Sequence, residues 1–144
     1  MKTRKPANLA PLETIRLRAT LETEPRLDAA RPLYYIAKQC GWKAFVTACA
    51  HGLCSYKLRQ ITIPLWAEER SYDYYLYYIC HELAHIPNPG IQHGPDFMKT
   101  FRSICPPELQ HYELDYKPRL AKAAGIRKPL EPCEPCEPDP EFPL

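Results

Sequence analysis

His81-Glu82-Leu83-Ala84-His85 is the stretch from which the rest of this chain is read. On a helix, residues i and i+4 share a face about one turn apart, so His81 and His85 can offer two imidazoles to one metal ion. Glu82 leaves the helix in another direction, but its carboxylate can reach a water held on such an ion. Two or three protein ligands, an open coordination position and a carboxylate base are the parts of a hydrolytic zinc centre. The flanks agree with a helix. Neither Pro nor Gly occurs from Ser71 to Ile86, and Pro87, Pro89 and Gly90 then stop it. A third ligand has to come from chain that has turned back, and His93 stands just past that turn. The expectation is one catalytic Zn²⁺ held by His81, His85 and His93, with Glu82 as general base.

Ile79-Cys80-His81-Glu82-Leu83-Ala84-His85, followed by His93-Gly94-Pro95-Asp96-Phe97, resembles the SprT-like metalloproteases, the family of the spartan-type DNA–protein crosslink proteases. Asp96 stands where that family has a glutamate. Upstream, Gly52-Leu53-Cys54-Ser55 and the alternating run to Leu65 are similar to the family's strand region, so the likeness spans about residues 30 to 105. It implies an α+β fold of minimal zincin type, with N-terminal helices, a small three-stranded sheet, the H-E-x-x-H helix and a following helix. It implies the same three ligands, Glu82 as base, and protein substrates associated with DNA. Family members often carry a zinc ribbon after the catalytic domain. Here Cys133 and Cys136 supply only half of one, which Cys105 and His111 could complete as an unusual site, and a solvated acidic tail is the preferred reading.

The flanking sequence sorts into elements. Pro11 opens a helix to about Glu22, with Leu12, Ile15 and Ala19 expected on its buried face. A second helix covers Leu27 to Gln39 or begins near Pro32, and Gly41 ends it. Three strands are expected at Lys43 to Ala50, Cys54 to Leu58 and Gln60 to Leu65. Pro64 suits an edge position, and the third strand is assigned the pairing with an extended substrate. Ser71 can cap the H-E-x-x-H helix, whose tyrosines, Tyr72 to Tyr78, read as core, with a hydroxyl available to a zinc histidine. Gly94 to Cys105 is a further helix with Phe97, Phe101 and Ile104 inward, and Asp96 either caps it or receives an imidazole proton. Glu108 to Tyr116 is a last helix. Tyr112, Tyr116 and Arg119 are candidates to stabilise an oxyanion.

The chain's 144 residues make one domain, with no apolar run of membrane length and no apolar N-terminal leader. Its seven cysteines are read as reduced thiols, with Cys49 and Cys80 as buried small hydrophobes, in a cytoplasmic, nucleoid or nuclear setting. The net charge of +2 hides an asymmetry. Residues 129–144 hold five acids and no Lys or Arg, which leaves 12 acidic against all 19 basic residues in the remainder. The expected organisation is a flexible basic arm over 1–10, the metalloprotease domain over 11–128 and an acidic Pro-rich tail over 129–144. Such a basic body is compatible with DNA. The expected partner is a protein or peptide substrate, with a monomeric chain and no membrane. Two other functions fit the same residues. One is a DNA-binding module whose zinc is structural, closed by a fourth ligand such as His51. The other is a small metallopeptidase unconnected with DNA.

Overall fold

The computed structural model describes residues 5–89 and 93–114. The chain runs α1 (Pro11–Thr23), a 3₁₀ turn (Pro25–Leu27), α2 (Arg31–Gln39), β1 (Lys43–Thr47), β2 (Leu53–Ser55) and β3 (Gln60–Pro64). It continues through α3 (Leu65–Arg70), α4 (Tyr72–His85), α5 (Pro95–Ile104), a second 3₁₀ turn (Pro107–Leu109) and α6 (His111–Leu114). This is an α+β architecture with six helices and a three-stranded mixed sheet among the described residues.

α1 starts at Pro11, where a missing N–H costs nothing. Its buried face is not the expected one. Leu12 and Ile15 are 72% and 66% exposed, whereas Thr14, Leu17, Thr20 and Leu21 are buried. The helix offered two stripes, and the backbone of β1 selects between them. Thr14 Oγ1 accepts from the Val46 N–H at 2.9 Å, so a polar residue turns inward and brings Leu17 and Leu21 with it. Arg31 begins α2, and Pro32 sits in its first turn.

The strand order is β1-β3-β2, with β3 parallel to β1 and antiparallel to β2. The third strand is therefore central, and its assignment as an edge strand that receives substrate is corrected. Pro64 is tolerated because β2 reaches only as far as the Leu53–Thr62 pair, leaving no partner that needs the missing N–H. The outer edge of β1 is also covered. Leu9 forms an antiparallel bridge with Thr47, Ala10 N–H donates to Val46 O at 2.8 Å, and Ala48 N–H donates to Asn8 O at 2.9 Å. Residues 8–10 thus extend the sheet where a flexible arm was expected. Among the described residues, β2 is left as the strand with an uncovered edge.

α4 packs against β2, β3, α3 and α5. Every residue from Tyr74 to His85 is buried, so the helix has no solvent face and its tyrosines form core, apart from Tyr72 at its start. Cys54, Cys80 and Cys105 are buried as well, whereas Cys49 is exposed, contrary to expectation. It follows Thr47 into the turn before β2, outside the packed part of the sheet. No helix among the described residues is long and apolar enough to cross a membrane.

Candidate metal centre

Each end of α4 is fixed by a side chain. At the N-terminus Ser71 Oγ accepts from the Tyr74 N–H at 3.0 Å, as expected, and Asp73 favours the positive end of the helix dipole. At the C-terminus the Tyr56 hydroxyl, from the connection between β2 and β3, donates to the carbonyls of His85 and Ile86. Asn88 then clips the turn, donating to Ala84 O at 2.8 Å and to Thr100 Oγ1 of α5 at 3.0 Å. These bonds set the end of α4 from which the chain turns back towards His93.

His81, His85 and His93 meet. Their ligand atoms lie within 4.8 Å of one another, and His85 Nε2 is 3.0 Å from His93 Nε2. A tetrahedral zinc with bonds of about 2.0–2.1 Å would separate its nitrogens by about 3.3 Å, a spacing these distances bracket. The Phe97 ring lies beside all three imidazoles, with centroids 5.2 Å from His81, 4.6 Å from His85 and 4.8 Å from His93. Among the described residues, this is the one cluster of at least three His, Cys, Asp or Glu side chains close enough to share an ion.

The charge state of His85 suits a cation. Burial, and then the neighbouring His81 and His93, push the His85 pKa down to about 2. A neutral imidazole keeps a lone pair for a metal. Two such lone pairs facing each other at 3.0 Å repel unless a proton or a cation lies between them. His85 Nδ1 has no hydrogen-bond partner among the described residues. The site can thus hold a metal ion through three imidazoles.

Glu82, next to His81 on α4, is fully buried, with its carboxylate against the start of β2. A β-carbon at Gly52 would lie 2.9 Å from Glu82 Oε2, and 2.6 Å from both the Thr62 carbonyl oxygen and Tyr78 Cε1. The Gly52 N–H donates to the Tyr78 hydroxyl at 2.8 Å. Glycine is therefore required where β2 meets the carboxylate.

Glu113 is a residue of this site that the sequence reading missed. His81 Nδ1 lies 2.7 Å from Glu113 Oε1, and the Tyr77 hydroxyl donates to the same oxygen at 2.8 Å. Burial pushes the Glu113 pKa up, but the His81 imidazole and the two hydrogen bonds outweigh it, and the carboxyl stays below its ordinary range. This is the role expected of Asp96. Asp96 instead is exposed in the first turn of α5, whose N-cap is Gly94. The only sequence signal for Glu113 was indirect: a buried tyrosine-rich helix needs acceptors for its hydroxyls.

The other candidates are dispersed. Tyr112 packs edge-on against Tyr74 and tilted against Tyr77, with centroids at 5.3 and 5.6 Å, as core. Cys105 is buried and His111 is exposed. His51 is not in the metal cluster. It lines a cavity of about 390 Å³ with Lys5, Cys49, Leu53 and Thr62. Tyr116, Arg119, Cys133, Cys136 and the acidic tail lie outside the described residues. Comparison of the chain with family models, with curated proteins and with solved structures found no match to any of them.

Proposed function

We propose that this chain is a zinc-dependent endopeptidase of the SprT-like type. The observation that carries the reading is the convergence of His81, His85 and His93, with Glu82 adjacent to the first of them on the same buried helix. The described residues supply three donors to the cluster, which favours an open catalytic site over a closed structural one. A bound Zn²⁺ would supply a Lewis acid that polarises the scissile carbonyl and brings the pKa of water towards about 7. The chain's own residues do the rest. The three imidazoles would bind it through neutral nitrogens, and burial holds His85 in that state. Glu82 takes the proton of the attacking water and returns it to the leaving amine. The uncovered edge of β2, whose preceding Gly52 touches Glu82, offers backbone groups to an extended peptide.

Proteins associated with DNA are the proposed substrates, on the strength of the family resemblance and the basic body. Glu82→Gln should keep zinc and lower cleavage of a protein substrate by about a hundredfold or more. Undiminished cleavage by that variant would remove Glu82 from the reaction. The same assay on a DNA-bound protein separates the DNA-linked role from that of a general peptidase, since equal rates with and without DNA would leave only the latter.

A further inference from the structure

Glu113 comes from the last described helix, 32 residues beyond His81, yet its carboxylate is buried against that histidine. Its geometry is specific. One oxygen, Oε1, takes both His81 Nδ1 at 2.7 Å and the Tyr77 hydroxyl at 2.8 Å. An acceptor at Nδ1 selects the tautomer whose proton sits there and whose Nε2 lone pair is free. It also stops the ring from rotating about its bond to the helix. Tyr77 lies one helical turn before His81 on α4, so its hydroxyl holds the carboxylate from the side. Tyr112 packs on Tyr74 and Tyr77, and Leu109 of the preceding turn is buried.

We propose that Glu113 is the positioning residue of the metal centre, holding His81 in the metal-binding tautomer, and that through this bond metal loading and the docking of α6 are coupled. The proposal rests on the reading of His81, His85 and His93 as metal ligands. It extends that reading to a segment outside the motif. Coupling of this kind is reciprocal: whatever α6 contributes to metal affinity, the metal contributes to the retention of α6.

The test is zinc titration against a chromophoric chelator, with zinc alone as the probe, on wild type, Glu113→Gln, Glu113→Ala and Tyr77→Phe. Loss of such a partner weakens metal affinity by about 10- to 100-fold. Glu113→Ala should show a loss in that range. Glu113→Gln retains an acceptor oxygen and should lose less, and Tyr77→Phe should lose least. Leu17→Ala, buried on α1 away from α6, is the control for mere loss of stability, and should lower stability without changing zinc affinity in the folded protein. Two readouts separate positioning from a structural role. Nitrogen-15 spectra should place the His81 proton on Nδ1 in wild type and show a mixture of tautomers in Glu113→Ala. Zinc should slow amide exchange at residues 111–114 in wild type and not in Glu113→Ala. If Glu113→Ala does not fold, the near-isosteric Glu113→Gln carries the comparison. Wild-type zinc affinity in folded Glu113→Ala, or in Glu113→Gln with an unchanged tautomer and unchanged exchange, overturns the proposal while leaving the metal site standing. Absence of zinc binding by wild type overturns both.

Discussion

Gly52 and Glu82 touch across the gap between β2 and α4, and they can do so only because residue 52 lacks a β-carbon. In Gly52→Ala the added methyl would meet backbone at Thr62, which cannot swing away, as well as the Glu82 carboxylate. The expected cost is about 1–3 kcal/mol of stability. Cleavage should fall further than zinc affinity, because Glu82 is displaced and the imidazoles are not. Urea unfolding, zinc titration and a cleavage assay on the same preparation check this. Unchanged stability and activity would mean that β2 can move back freely. His85 makes a second prediction at this scale. Its pKa is depressed from 6.5 to about 2. Between those values the unfolded chain binds a proton that the folded chain refuses. Stability of the metal-free protein is therefore full above about pH 6.5 and falls as pH is lowered, by up to about 1.4 kcal/mol per pH unit from this residue. Glu113, also depressed, adds a loss in the same direction at lower pH. Urea unfolding at pH 7, 6 and 5 should show the decline, with a shallower slope in His85→Gln. Equal slopes would contradict burial of a neutral imidazole.

Among the elements, α4 was the most legible in the sequence. Its Ser71 cap, its freedom from Pro and Gly and its Pro87 stop are local signals, all carried by the helix's own stretch of chain. α5 was legible for the same reason, through Phe97, Phe101 and Ile104 at helical spacing. What failed was anything decided by a distant partner. The inward face of α1 depends on Val46, the central place of β3 depends on how short β2 is, and the carboxylate behind His81 comes from α6. None of these choices leaves a periodicity to read. The cover on β1 gives the prediction at this scale. Deleting residues 1–10 removes the backbone bonds to Val46 and Ala48, and should cost about 1–3 kcal/mol at roughly 0.5–1.5 kcal/mol per bond. It also exposes a strand edge, so the truncated chain should self-associate in sedimentation experiments. A monomer of unchanged stability would show that the 8–10 extension contributes nothing.

For the molecule as a whole, some of the basic residues before position 129 are paired within the fold. Arg16 pairs with Glu68 at 2.5 Å, Arg26 with Asp73 at 2.9 Å and Lys38 with Glu22 at 3.3 Å. These partly exposed pairs add little stability, and because each takes one base and one acid they leave the basic surplus unchanged. Lys99 and Arg102 stay exposed on α5, the helix that follows His93. Everything proposed for this protein depends on chain from two separate places delivering imidazoles to one ion: α4 with His81 and His85, and the returning strand of chain with His93. Zinc titration of wild type and of His93→Ala tests this most directly. The account predicts one zinc per wild-type chain and an affinity weaker by at least about tenfold in the variant. A variant that binds zinc as tightly as wild type would contradict it.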